Sequence, residues 1–309
     1  MAVTIFPWHR DILASATFAP ATLLLGAPGG GRDELALALA ASFAGAPETP
    51  PPDSMVANLT PVKKADNKEW LADKSADILL IRPENNVIPV GAARRVVEFC
   101  ALSPIIMPRR AAVLTCAECL NTAAANALLK TLEEPAANKA LILSARAAAL
   151  LPPTVVSRCR IIKAPPPSAT QAAEWAKENG VDGAALAFCG GMPADAQLID
   201  TARVDVVADF FAAGGKINIY AAAKAMSDFD GWLDCLQKWT ADGCRAAFGL
   251  PLYYFPGREK QYDALSASPR RWLDGHARLI KKRRLAAHPL AADLFIKEIL
   301  NDYRGIFTD

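Results

Sequence analysis

Short apolar runs recur along the first half of the chain, and the segments between them show helical spacing. The apolar runs predict buried strands at 22–25, 78–81, 111–114, 141–143 and 161–162. The intervening segments predict helices over 33–43, 90–99 and 122–134. Because strands alternate with helices, we expect an α/β domain with a largely parallel sheet.

Prolines and polar residues interrupt this pattern at two places. Residues 45–75 carry five prolines, four of them at 47–52, and a polar tail, which predicts an irregular insert. Three prolines at 165–167 cannot continue a helix or a central strand, so they end the first domain. Beyond them the spacing is helical at 168–179, 182–189 and 193–202, and then in longer segments to the C-terminus. We therefore predict three domains, at 1–166, 167–204 and 205–309.

The loop after the first strand is glycine-rich and opens a helix. It matches the phosphate-loop pattern G-x-x-x-x-G-K-[ST] at Gly26 and Gly31 but carries Arg32 and Asp33 at the two chemical positions. A working loop uses lysine on the β/γ-phosphates and a hydroxyl on Mg²⁺. Arg32 keeps the charge, whereas Asp33 sets a carboxylate against the phosphate oxygens. Backbone amides can still hold an anion, so we predict a vestigial site at Gly26, Gly29, Gly31 and Arg32; a plain glycine-rich turn is the alternative.

The acidic residues that an ATPase needs after its third strand are missing. Such an enzyme places an Asp there for Mg²⁺ and a Glu for the attacking water, but this chain has Cys116 and Ala117, with Glu118 displaced by one residue. Cys116 and Cys119 form a Cys-x-x-Cys pair with no second pair or histidine at zinc spacing. We expect both thiols to act as small apolar side chains.

The helix predicted over 122–134 ends in two acidic residues. Asn121 or Thr122 can cap its start. Its apolar face consists of Ala125, Leu128, Leu129 and Leu132. Glu133 and Glu134 lie at its C-terminal end, where the helix dipole disfavours negative charge. This placement suggests a basic partner, and a solvated helix end is the alternative.

Two stretches together carry a family resemblance. Residues 121–135 read NTAAANALLKTLEEP, and Ser157-Arg158-Cys159 follow the next predicted strand. This combination resembles the AAA+ clamp-loader family of bacterial DNA polymerase III, with the greatest likeness to its delta-prime branch. The resemblance implies an AAA+ module over 1–166, a small helical lid over 167–204 and a helical collar over 205–309 that packs five subunits into an open ring.

The resemblance also implies a role and a set of partners. The expected role is a stator that does not hydrolyse ATP and supplies Arg158, between Ser157 and Cys159, as an arginine finger in trans. The ATP-Mg is then held by the adjacent motor subunit, and this chain needs no cofactor of its own. The implied partners are gamma/tau-type motor subunits, a delta subunit, the sliding clamp and primer–template DNA, with no membrane involved.

The chain departs from the family pattern at several positions. Many members bind zinc through four cysteines in the insert, whereas residues 45–76 contain none, so no metal site is expected. The lid position that carries a nucleotide-sensing arginine in active relatives aligns with Ala194. The first-sensor polar residue falls at Ser144 or Ala145, and the alignment leaves both open.

Composition and charge bear on the location of the protein and on its alternative functions. The 309 residues carry a formal net charge of +2, so no strong overall field attracts nucleic acid. Seven scattered cysteines, no signal-like start and no apolar run near 18 residues predict a cytoplasmic protein. Two other functions stay open: an active ATPase that uses Arg32 and Glu118, and a DNA-binding adaptor that uses the basic run 281–284. Four consecutive charges wrap around a helix, which favours a solvated face for that run.

Overall fold

The computed structural model describes most of the chain, which divides into two compact units. The described residues are 5–15, 19–45, 60–61, 70–74, 77–83, 86–134, 138–225, 229–283 and 292–308. The first unit spans Met1–Ser168 and the second Ala169–Asp309. None of the helices in the described ranges combines the length and the apolar character needed to cross a lipid bilayer.

The first unit is built on a seven-stranded sheet. Its strands are β1 (Ala21–Leu25), β2 (Thr60–Pro61), β3 (Trp70–Lys74), β4 (Ile78–Pro83), β5 (Arg110–Leu114), β6 (Lys139–Ala145) and β7 (Arg160–Lys163). Their order is β2-β3-β4-β5-β6-β1-β7. The five strands from β4 to β7 in this order are parallel, which confirms the predicted parallel α/β core.

The helices of the first unit cover both faces of the sheet. They are α1 (Arg10–Ser15), α2 (Arg32–Ala44), α3 (Val90–Ala101), α4 (Thr122–Glu133) and the single turn α5 (Pro153–Val156). On β1, Leu23 packs in the same cluster as α3 and α4, whereas its neighbour Leu24 packs with α2. Because alternate side chains point to opposite faces and both faces are covered, the central strands β1, β4, β5 and β6 are apolar and buried over most of their length.

Part of the predicted irregular insert is regular, so that prediction is wrong for β2 and β3. The strand β3 pairs antiparallel with β4, with Ala72 opposite Ile81, and β2 pairs antiparallel with β3. Their sequence shows no apolar alternation, and β3 is a strand because it pairs along the edge of β4, the next strand in the chain. Residues 46–59, 62–69 and 75–76 lie outside the described residues.

The predicted helix cap is resolved at the start of α4. The Asn121 side chain accepts a hydrogen bond from the backbone N–H of Ala124 at 2.8 Å, so Asn121 and not Thr122 is the cap. Leu128 and Leu132 are fully buried on the predicted apolar face. Pro135, which the sequence places just beyond this helix, lies outside the described residues.

The described part of the second unit is helical. Its helices are α6 (Ala169–Glu178), α7 (Gly183–Phe188), α8 (Pro193–Ala196), α9 (Thr201–Ala212), α10 (Ile219–Ala225), α11 (Phe229–Ala247), α12 (Glu259–Asp263), α13 (Pro269–Arg283) and α14 (Ala292–Arg304). The helix predicted over 193–202 is in fact two, because Asp200 adopts an extended backbone and its carboxylate caps the start of α9. The core centres on Trp239, whose indole donates to the Tyr303 hydroxyl at 2.9 Å and stacks on Tyr262.

Candidate functional site

The loop between β1 and α2 contains two glycines in a backbone conformation that other residues rarely adopt. Gly29 and Gly31 adopt positive φ angles of 71° and 90°. A Cβ on Gly31 would lie 2.3 Å from the Phe6 ring, and the Trp8 indole donates to the Gly30 carbonyl at 3.0 Å. The N-terminal segment therefore lies directly on the loop, a contact that the sequence did not reveal.

Arg32, at the lysine position of the phosphate-loop pattern, is turned into the protein. Its side chain is 2% exposed, and its Nε and Nη2 donate to the two carboxylate oxygens of Asp33 at 2.8 and 3.1 Å. Its Nη1 donates to the Gly26 carbonyl at 3.1 Å. Burial alone would lower the pKa of Arg32, but the hydrogen bond and the charge of Asp33 outweigh it and raise that pKa. The loop therefore contains its own ion pair.

Asp33 is further held by the end of β6. The hydroxyl of the fully buried Ser144 donates to an Asp33 carboxylate oxygen and accepts from the backbone N–H of Cys116 at 3.4 Å. Ala145 contributes its carbonyl, which accepts from the Gly26 N–H at 3.1 Å. Of the two positions that the alignment left open, Ser144 is the one whose side chain contacts the loop.

The end of β5 completes this cluster with a thiol. Cys116 adopts a left-handed backbone with φ 51°, and its sulfur accepts a long contact from Arg32 Nη2 at 3.6 Å. Burial raises the pKa of Cys116 to about 11, so the thiol stays protonated at neutral pH. All seven cysteines are unpaired, and no group of potential metal ligands occurs among the described residues.

Glu118, the carboxylate displaced by one residue from the position of the catalytic base, forms an ion pair with Arg146. Its Oε1 accepts from Arg146 Nε at 2.9 Å, and its side chain is mostly buried. Asp33 is likewise bound by Arg32 and Ser144. Asp33 and Glu118 thus each have a cationic partner within the first unit, and the pairing of Arg32 with Asp33 closes the loop on itself.

A second cluster surrounds Arg158, on the turn that follows α5. Its Nε donates to Glu133 Oε1 at 2.6 Å, and its Nη2 donates to the same oxygen. Its Nη1 donates to the Thr154 carbonyl at 2.8 Å. The Arg158 side chain is 30% exposed and that of Glu133 48% exposed. Glu133 therefore has the basic partner that its position at the end of α4 suggested.

The residues on either side of Arg158 have local roles. The Ser157 hydroxyl donates to the Thr154 carbonyl at 3.3 Å, within the same turn. Cys159 packs against the core, and burial raises the pKa of its thiol to about 11. Arg158 is partly exposed, as is Ser157 beside it, so its guanidinium lies within reach of solvent. The Arg158 cluster and the loop cluster share no residue.

The basic run that suggested a DNA adaptor is largely paired within the second unit. Lys282 Nζ lies 2.5 Å from Glu298 and 2.6 Å from Asp302. Arg283 contacts Asp234 at 3.3 Å. Arg284 lies outside the described residues. These ion pairs favour a solvated, self-neutralised helix face over a nucleic-acid interface.

Comparisons with known proteins identify similar proteins among the subunits of bacterial DNA polymerase III. The family model described as DNA polymerase III, delta subunit, matches residues 5–168. The delta-prime subunit of Pseudomonas aeruginosa DNA polymerase III is 35% identical over 131 residues, which cover 40% of each chain. The Haemophilus influenzae delta-prime subunit is 48% identical over 63 residues, 20% of this chain and 19% of that protein. The matched segments thus span two fifths or less of the length of these relatives.

A solved structure extends the likeness in fold to nearly the whole chain. A protein related to the DNA polymerase III gamma subunit from Thermotoga maritima aligns with a TM-score of 0.53 at 16% identity. The alignment covers 96% of this chain and 97% of that one. At this identity the likeness concerns the fold alone.

Proposed function

Because the chain belongs to the DNA polymerase III delta-prime subunit family, we propose that it is the stator of a clamp loader. In this role it does not hydrolyse ATP itself and supplies Arg158 to the ATP of a neighbouring motor subunit. The observation that carries the proposal is the contrast between two arginines. Arg32, in the phosphate loop, is buried against Asp33, whereas Arg158 is at the surface.

The closed loop supports the absence of hydrolysis. A triphosphate would have to separate Arg32 from Asp33 and then lie beside that carboxylate. Two unit charges 4 Å apart at an effective dielectric constant of 20 repel by about 4 kcal/mol. In addition, Cys116 and Ala117 offer neither a Mg²⁺ ligand nor a base for water. Each of these losses alone would impair an ATPase.

Arg158 has the chemistry that a trans finger needs. An arginine fork binds phosphate in a bidentate manner and stays charged at all relevant pH values. An arginine finger is worth about 10³–10⁵ in rate in well-studied systems. Ser157 and Cys159 support the turn that carries it, one through its hydroxyl and the other through the core.

The proposal extends to partners and domain roles. Residues 1–166 form the AAA+ module, 167–204 the lid and 205–309 the collar of a five-membered ring. Ala194, in α8, leaves the lid without the nucleotide-sensing arginine of active relatives. The ring contains gamma/tau-type motor subunits and a delta subunit, and it loads the sliding clamp on primed DNA.

The test is clamp- and DNA-stimulated ATP hydrolysis by the reconstituted complex. Arg158→Ala should abolish most of the stimulated rate while the complex still assembles by gel filtration. Arg146→Ala is the matched control, because Arg146 is also an exposed arginine in a single ion pair of the same unit. Undiminished hydrolysis by an intact complex with Arg158→Ala contradicts the proposal.

A further inference from the structure

We propose that Glu133 is the positioning residue for Arg158. Its carboxylate fixes the plane of the guanidinium while leaving one terminal N–H of that group available for a phosphate. The inference rests on the proposed function, in which Arg158 serves the ATP of a neighbour. It assigns a task to an acidic residue that touches neither nucleotide nor metal.

The geometry of the pair is specific. One oxygen of Glu133, Oε1, accepts from Arg158 Nε at 2.6 Å and also from Nη2. An acceptor shared by these two nitrogens lies along the edge of the guanidinium that faces Nε. The Thr154 carbonyl accepts from Nη1 at 2.8 Å. Because both terminal nitrogens and Nε are hydrogen-bonded, the planar guanidinium of Arg158 is held in one orientation.

A count of donors shows what remains for a ligand. Arginine has five N–H groups, and three of them bind Glu133 and Thr154. The second N–H of Nη1 faces the Ser157 hydroxyl at 3.4 Å, a long contact that a stronger acceptor can displace. The second N–H of Nη2 has no acceptor among the described residues. A phosphoryl oxygen can therefore be bound without breaking the contact to Glu133.

Stability does not explain a carboxylate at this position. Glu133 is the last residue of α4, where negative charge opposes the helix dipole. Its ion pair with Arg158 is half exposed, and such pairs contribute little to folding. We therefore assign the Glu133 carboxylate the role of orienting Arg158. Glu134 follows at the C-cap and forms no ion pair with any described residue, so it provides a matched control.

The experiment measures stimulated ATP hydrolysis by the complex at saturating ATP. Glu133→Ala should lower kcat by about 10- to 100-fold with KM and assembly unchanged, because displacing a catalytic group by about 1 Å can cost up to about 10²-fold in rate. Glu133→Gln keeps a neutral acceptor oxygen and should recover part of the rate. Glu134→Ala should leave the rate unchanged. In an Arg158→Ala background, Glu133→Ala should have no further effect, because it acts through Arg158.

The outcomes separate this inference from the proposed function. If Arg158→Ala is inactive while Glu133→Ala hydrolyses at the wild-type rate or faster, Glu133 does not position Arg158. If Glu133→Ala slows the Arg158→Ala complex further, it acts by another route and the inference is overturned. A purely structural role would lower the Tm of the isolated chain, whereas we expect that Tm to be unchanged or higher. Wild-type activity of Arg158→Ala itself overturns the proposed function and, with it, this role of Glu133.

Discussion

Asp33→Ser offers a direct test of the closed phosphate loop. It restores a hydroxyl at the position where a working loop holds Mg²⁺. The substitution removes the carboxylate that neutralises Arg32 and that accepts from Ser144. We expect two linked effects: a loss of stability because Arg32 is left without its counter-charge, and a gain in affinity for ATP because the negative charge has left the loop.

Both magnitudes follow from the geometry. Breaking a buried ion pair costs about 3–5 kcal/mol. Arg32 is 2% exposed but the Asp33 side chain is 36% exposed, so solvent screening reduces the loss to roughly 2–3 kcal/mol. Removing the repulsion of about 4 kcal/mol between the carboxylate and a phosphate corresponds to a factor of up to about 10³ in Kd. The first effect destabilises the ligand-free chain, and the second stabilises its complex with ATP.

The assay combines titration with thermal melting. Binding of ATP with Mg²⁺ to the isolated chain is measured by calorimetry, and Tm is recorded with and without ATP. A ligand at a hundred times its Kd stabilises a protein by about 2.7 kcal/mol, so ATP should return most of the stability that Asp33→Ser removes. Asp11→Ser, at an exposed acid of the same unit, is the control. A folded Asp33→Ser chain that binds ATP no better than wild type refutes the reasoning.

Two further predictions concern buried groups of the first unit. Asp77 is fully buried and accepts hydrogen bonds from three consecutive backbone amides and from Arg110, which is 1% exposed. Asp77→Asn should therefore lower the free energy of unfolding by about 3–5 kcal/mol and the urea midpoint by about 1–2 M. Burial alone would raise the pKa of Asp77, but those amides and Arg110 lower it below its usual 3.8. The stability that Asp77 contributes is therefore present above that value and lost as pH falls through the folded pKa. Urea titrations at decreasing pH should show this loss of stability in wild type and a smaller loss in Asp77→Asn. Because the pKa of Cys116 is about 11, iodoacetamide at pH 7.5 should label this residue slowly in the folded chain and rapidly after unfolding; rapid labelling of folded protein, read by peptide mass spectrometry, contradicts the buried thiol.

The parallel strands of the sheet could be predicted because each of them is marked by its own run of apolar residues. Strands β1, β4, β5 and β6 are apolar on both faces and alternate with helices, a pattern that few other folds produce. The strand β3 was missed because its pairing with β4 determines it and its own residues do not alternate. Helix breaks such as the one before Thr201 depend on a cap whose geometry is set only in the folded chain.

The sequence singled out the residues of the candidate site but not the contacts between them. It drew attention to Arg32, Asp33 and Arg158, and it suggested either a basic partner or a solvated helix end for Glu133 and Glu134. It did not indicate that Arg32 turns inward onto its own neighbour, since the same residues could have faced a ligand. Nor did it reveal that Ser144 holds Asp33, because that contact joins residues from two different strand ends. Long-range contacts of this kind require the fold.

The most direct test of the account compares its two arginines in one reconstituted complex. We predict that Arg158→Ala abolishes most of the clamp- and DNA-stimulated ATP hydrolysis, whereas Arg32→Gln leaves it near the wild-type rate, with assembly confirmed for both. Loss of hydrolysis with Arg32→Gln and retention with Arg158→Ala would show that this chain uses its own loop, and would contradict the stator role.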